Sequence, residues 1–392
     1  MTVSRRTFIT GTAAIAVAFG ASPAGALVAE PRRAPGPSGP LLPPDANGIA
    51  LPRGFTSRVV ARHDQPVGRS GYRWHMFPDG GACFATRDRG WIYVSNSESL
   101  GVGIGGAGAL RFDRNGRVVD AYPVLTGSTR NCAGGPTPWG TWLSCEELEG
   151  GRVFECDPTG RVPGADRPAL GRFIHEAAAV DADRRHVYLT EDAPDGRLYR
   201  FTAARAGDLR TGVLEVARVE QGRVTWLRVP DPTAATTPTR RQVPSSTAFA
   251  GGEGIWRIDG AITFVTKHDH RVWRLDPHRD RLTLVYDALA ASANGVLGEP
   301  DNITVTHHGD IYVCEDQPAD QQVVLIDRKG RVRPVLQLVG QSGSELTGVA
   351  FNPRGDRMYV SSQRGTDRAP GLGITYEIRG PFHARTGRYA AS

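Results

Sequence analysis

The chain has 392 residues, a net charge of +6 and 40% apolar content, which suits a large packed core and excludes a disordered chain. Its 48 glycines and 28 prolines point to many short strands and turns rather than helices. The arginines are scattered and no RNA-binding aromatic motif occurs, so the charge balance favours small anions and not nucleic acid.

Residues 4–9 (SRRTFI) carry a twin-arginine signal, followed by an apolar run over 9–19 that is too short to span a bilayer. Ala24-Gly25-Ala26 is an A-x-A-like cleavage site. The sequence therefore predicts a signal peptide over 1–26, recognition by the twin-arginine translocase, and a secreted mature protein without a membrane span. That route carries folded proteins, often with a cofactor already inserted, and so hints at a metal. Residues 27–52 read as a Pro-rich extended linker. Residues 53–62 (RGFTSRVVAR) read as one strand expected beside 373–378 (GITYEI), closing a ring.

From about residue 72 a short apolar strand with a central aromatic returns six times. The aromatics are Tyr93, Trp142, Tyr188, Phe264, Tyr312 and Tyr359, at spacings of 49, 46, 76, 48 and 47. Four of the five gaps match one propeller blade, which predicts an all-β, six-bladed β-propeller over 53–392. Each repeat has a lead-in, a hairpin turn, the aromatic strand and a third strand (ALRFDRNG, RVFECDPTG, RLYRFTA, RVWRLDPHRD, VVLIDRKG, ITYEI). The long gap places about 28 extra residues within 202–250, a polar segment expected as a lid or as decoration. Its Arg240 and Arg241 would be available to an anion if the segment folds over.

In a propeller the start of the innermost strand and the end of the second strand share one face. The starts carry Cys132, Glu176, Glu253, Glu299, Asp301 and Glu345. The ends carry Glu98, Glu146, Glu147, Glu191, Asp192, Asp269, Glu315 and Asp316. Together they predict an acidic site at one mouth of the central channel. Converging carboxylates need protons or cations. Oxygen-rich clusters suit Ca²⁺, and a thiolate among carboxylates without a histidine cluster suits iron or zinc. Alternation along a strand lets only one acid of each pair face the site.

The five cysteines are an odd count for an exported protein. Counting back from a two-residue turn at Gly150-Gly151 sets Cys145 opposite Cys156, a register compatible with a disulfide. Cys132 is the candidate free thiol. His175, beside Glu176, reads as a packed histidine, and there is no G-x-S-x-G elbow for a serine hydrolase.

The twin-arginine signal, Gly54-Phe55, the block TRNCAGGPTPWGTWLSCEE at 129–147, the HE and TED elements, PDN at 300–302, CED at 314–316 and ELTGVAFNPRG at 345–355 together resemble the PhoX family of secreted bacterial alkaline phosphatases. The resemblance covers nearly the whole mature chain. It implies a six-bladed propeller whose iron and calcium ions, at one end of the channel, hydrolyse phosphate esters. Carried over by position, Cys132 would be an iron ligand. Glu147, Glu176 and Glu253 would hold the cluster, with Glu98, Glu299 and Glu345 as further ligands. The chain departs from the family pattern at Ser97, at Gly251 where an arginine is expected, and at 362–365 (SQRG). Arg130 and Arg364 are the candidate replacements for the phosphate clamp. A monomer is expected. Two other readings remain at this stage: a calcium-dependent propeller hydrolase such as a lactonase, and a non-catalytic propeller stabilised by calcium.

Overall fold

In a computed structural model the described residues are 37, 39–290, 295–317, 321–367, 371–382, 389 and 391. The predicted signal over 1–26 lies outside them. Six antiparallel blades follow one another along the chain. The first is Pro78–Ala85, Trp91–Ser97, Gly105–Phe112 and Val118–Ser128. The second is Asn131–Pro136, Trp142–Glu146, Val153–Cys156 and Ala165–Asp166. The third begins with His175–Asp181, His186–Glu191, Leu198–Arg205 and Asp208–Glu220. Gly252–Ile258, Ala261–Thr266, Arg271–Asp276 and Arg281–Asp287 form the fourth. Pro300–Val305, Ile311–Glu315, Gln321–Ile326 and Val332–Leu338 form the fifth. The sixth is Leu346–Phe351, Arg357–Ser362 and Ile374–Arg379, completed by Thr56–Arg62 from the start of the chain. Each inner strand packs on the inner strand of the next blade, and the sixth returns to the first.

The closing strand pairs Thr56 with Arg379 through to Arg62 with Ile374. Ile49–Ala50 also pairs with the outer strand of the fifth blade, Ile49 opposite Leu338. The propeller therefore begins inside the segment read as a linker over 27–52. Buried Ile49 and Leu51 join the apolar cluster shared by the fifth and sixth blades, which is what draws the chain in.

The six repeat aromatics are all at most 2% exposed. They fill the space between neighbouring blades, as where Tyr93 stacks on Tyr359 with ring centroids 4.8 Å apart. The inner strands use small residues instead. A Cβ on Gly135 would lie 1.8 Å from the Ala178 carbonyl oxygen, and one on Gly254 would lie 2.7 Å from that of Asp301. Only a missing side chain lets the inner strands converge this closely.

The extra residues of the third repeat are largely structured. Asp208–Glu220 turns into Arg223–Arg228, a fifth strand that bridges to the fourth blade at Arg223 and Arg281. Residues 229–250 then run over the acid-bearing side. They are held where the Arg172 N–H donates to Pro232 O at 2.9 Å and the Thr239 hydroxyl donates to Arg172 O at 2.6 Å. The cysteine register differs from the counted one. Cys145 lies opposite Val153, and Cys156 opposite Trp142. The turn after Glu146 is longer than two residues, because Gly151 N–H closes on Leu148 O. All five cysteines are free and buried. No helix among the described residues is long and apolar enough to cross a membrane.

Candidate metal centre

One backbone device repeats at the mouth of every blade. The residue after the second strand donates its N–H to the carbonyl just before the inner strand. The pairs are Glu98 to Phe77, Glu147 to Arg130, Asp192 to Ile174, Lys267 to Gly251, Asp316 to Glu299 and Gln363 to Glu345, all between 2.8 and 3.2 Å. These donors define one ring of six equivalent positions.

A second ring comes from bulges. In the first five blades the inner strand makes its first pair and then skips a residue, as between Asn131 and Gly134 or His175 and Ala178. Asp79, Cys132, Glu176, Glu253 and Asp301 sit in these bulges. A bulge leaves its residue out of the ladder and re-aims the side chain. In the sixth blade the irregularity falls later, between Gly348 and Ala350. Thr347 there stays in register and donates to Pro78 O, and Glu345, one residue before the strand, supplies the acid.

The two rings bring together three groups whose ligand atoms lie within 4.8 Å of one another: Cys132–Glu147–Glu176, Glu176–Glu253–Asp301 and Asp301–Asp316–Glu345. Glu176 and Asp301 are shared, so the groups form one arc. Glu176 is fully buried and neither of its carboxylate oxygens has a hydrogen-bond partner. Burial first, and then the charges of neighbouring acids, pushes the carboxyls of Glu176 (beside Glu253 and Asp301) and Glu345 (beside Asp301 and Asp316) far above the usual range. Burial, followed by the charge of Glu98, does the same to Glu147. Burial also raises Glu253, against the pull of Lys267. Burial and then the nearby Asp79 and Glu176 raise the Cys132 thiol. Asp316 is raised to about 6 by burial, against the pull of Lys267.

In each acid pair the second member takes the ring position and the first points elsewhere. Glu146 is clasped by the Arg152 guanidinium at 2.8 and 2.9 Å and accepts the Thr129 N–H at 3.0 Å. Glu191 accepts from the Tyr199 hydroxyl at 2.8 Å and from Arg240 at 3.3 Å. Glu315 accepts the Gly298 N–H at 2.8 Å. These three are structural, unlike their neighbours Glu147, Asp192 and Asp316. Asp192 interacts with Glu147 and helps to raise it. Asp269 turns to Arg271 at 3.1 Å, away from the arc. Glu299 supplies a backbone carbonyl, at a φ of 33°, and belongs to none of the three groups. Glu98 does face the mouth, where its carboxylate accepts from Gln363 at 2.8 Å.

Asp79 and Lys267 are the residues that sequence reasoning missed. Asp79 is fully buried and accepts from the Gln363 amide at 2.6 Å. The pattern PDG at 78–80 matched PDN at 300–302 and could have revealed it, but it reads equally as a turn. Lys267 has its ammonium 2.8 Å from Asp301, 3.0 Å from Glu253 and 3.4 Å from Asp316.

The basic candidates divide. Arg240 is engaged by Glu149, Glu191 and Asp195, which takes it away from any anion. Arg364 pairs with Glu345 at 2.7 Å and remains 42% exposed at the mouth. Arg130 has a φ of 49° at the lead-in position, equivalent to Gly251 in the fourth blade, and its side chain forms no ion pair among the described residues. His175 packs against Phe173 and hydrogen-bonds Gly171 O at 3.1 Å, and burial drops it to about 3, so it is a neutral structural histidine.

The closed propeller thus gathers a buried carboxylate–thiol arc at one mouth of its channel. The sequence matches the alkaline phosphatase PhoX family over residues 104–152, 148–260 and 257–365, and the chain belongs to that family. It is a phosphate ester hydrolase. Among solved structures, Pseudomonas fluorescens PhoX in complex with vanadate, a transition state analogue, shares the fold. Its TM-score is 0.74 at 17% identity, over 89% of this chain and 99% of that one. Regucalcin, a calcium-binding protein from Agrobacterium tumefaciens, aligns over 86% of this chain and 97% of its own at 16% identity, with a TM-score of 0.43. A gluconolactonase from Xanthomonas campestris aligns over 88% of this chain and 99% of its own at 12% identity, also at 0.43. No curated protein sequence matches the chain.

Proposed function

We propose that this protein is an exported alkaline phosphatase that hydrolyses phosphate monoesters with iron and calcium held in the arc around Glu176. The observation that carries the proposal is Glu176 itself: a fully buried carboxylate with both oxygens unpartnered, between a buried thiol and two further acids. Such a group is costly unless it is protonated or coordinates a cation. The donor set fits the family's metals. Cys132 with Glu147 and Glu176 suits iron, and the carboxylates gathered around Glu176 suit a hard cation such as calcium.

When bound, the cations supply charge neutralisation for the phosphoryl oxygens and lower the pKa of an oxygen nucleophile. The chain's own residues do the rest. The bulges fix the thiol and carboxylates on rigid strands, so little reorganises when substrate enters. Arg364, partly exposed beside Glu345, and Arg130, at the lead-in of the second blade, are the residues proposed to meet a phosphoryl group with their guanidinium forks. Residues 229–250 are tied down beside Glu191 through Arg240, whose guanidinium reaches its carboxylate at 3.3 Å.

The test is elemental analysis of protein purified without added metal or chelator, paired with hydrolysis of a generic aryl phosphate. Iron and calcium together with turnover support the proposal. A protein with turnover but no iron removes the iron assignment, and one with neither metal sinks the reading.

A further inference from the structure

The second-strand ring carries an acid in four blades, at Glu98, Glu147, Asp192 and Asp316, and a glutamine at Gln363. In the fourth blade the same position is Lys267, with the same backbone bond to the residue before the inner strand. Its ammonium lies between acids of the fourth and fifth blades, 3.0 Å from Glu253, 2.8 Å from Asp301 and 3.4 Å from Asp316. The remaining acid of the third group, Glu345, is paired with Arg364 at 2.7 Å. Every member of Asp301–Asp316–Glu345 therefore has a side-chain cation against it. In Glu176–Glu253–Asp301 the same ammonium lies against Glu253 and Asp301, and only Glu176 is clear of it. Cys132–Glu147–Glu176 has no lysine or arginine within ion-pair distance among the described residues.

We infer that Lys267 takes the place of a metal ion at Asp301–Asp316–Glu345, assisted by Arg364, so that this end of the arc is served by side-chain charge and the metals are confined to the Glu176 end. An ammonium is a compact point charge that is present at any metal concentration and does not dissociate from the chain. Three carboxylates without it would form an oxygen-rich pocket suited to Ca²⁺. Lys267 is thus a positioning residue. It sets a fixed positive charge against Glu253 and Asp301, at 3.0 and 2.8 Å, and it makes this end independent of calcium supply. The inference rests on the metal-site reading above but does not depend on which metal sits at Cys132.

The experiment counts calcium in metal-stripped protein by equilibrium dialysis, comparing wild type with Lys267→Asp, which installs the acid that the ring carries elsewhere. Lys267→Asp is expected to bind about one more calcium ion per chain than wild type and to gain a calcium-dependent rise in Tm beyond that of wild type. Lys267→Gln, neutral and of similar length, is the second variant in case the first does not fold, and it too is expected to gain about one ion. Both are repeated with Cys132→Ala, so that failure of the iron assignment leaves the count readable. A folded variant of either kind that binds the same number of calcium ions as wild type overturns the inference.

Discussion

The Trp142 indole N–H donates to Asn96 Oδ1 at 2.9 Å, and through that bond the first blade holds the cysteine-bearing strand of the second. The same oxygen accepts from the Ser144 hydroxyl at 2.9 Å. The Asn96 amide nitrogen donates to the carbonyls of Cys132 at 3.2 Å and Ala133 at 2.7 Å. One buried side chain thus satisfies the bulge that presents Cys132, and it explains why the block around Cys132 needs both its tryptophan and its serine. Asn96→Ala leaves buried donors and acceptors unsatisfied, at about 1–3 kcal/mol for such a group. It is expected to lower the unfolding free energy by about 3 kcal/mol and to weaken retention of metal at Cys132. Denaturant unfolding with parallel metal analysis checks both.

Cys132→Ala and Glu176→Gln should fold, because each replaces a buried group with one of similar or smaller volume and lower charge. Both are expected to lose iron and to drop kcat/KM by more than the roughly 10–100-fold that loss of an indirect supporting contact costs. Glu146→Gln, altering an acid that faces Arg152 instead, should retain the metals. Equal activity in the two site variants and wild type would refute the site.

The metal-free protein should lose stability as pH rises. Burial raises the folded-state pKa of Glu147, Glu176, Glu253 and Glu345, with Asp316 at about 6. The native state therefore binds more protons than the unfolded chain once pH passes the ordinary carboxylate range. This contribution is fully present below about pH 4 and is lost as pH climbs through and beyond 6, so Tm should fall from pH 5 to 8 in chelator. Bound metal replaces the protons and removes that slope, and metal affinity should rise with pH because binding releases protons. Calorimetry with and without metal distinguishes the two curves.

Arg240→Ala should release the segment 229–250. The guanidinium reaches Glu149, Glu191 and Asp195, and Glu191 is fully buried. Breaking a buried pair from one side costs about 3–5 kcal/mol. Burial has already raised Glu191 to about 7, so protonation relieves part of that cost, and the loss should be smaller at pH 5 than at pH 8. Faster proteolytic cleavage within 229–250 is the accompanying readout.

The repeat period, the buried aromatics, the closing strand and the face on which the acids gather were all legible in the sequence. They depend on local pattern, since alternating apolar residues, turn glycines and a period near 48 leave few other ways to bury the same surface. The choice within each acid pair was not legible. It depends on a bulge of one residue and on a backbone bond between two strands, neither of which leaves a compositional trace. Asp79 was hidden in what reads as a turn, and Lys267 was passed over in favour of Asp269, because residues in six separate blades become equivalent only when the ring closes. Glu299 and Asp301 differ by two positions, yet the bulge sends one to a backbone role and the other into the arc. The sequence by itself determined that acids meet at one mouth; only the closed ring decided which of them meet, and that a lysine stands among them.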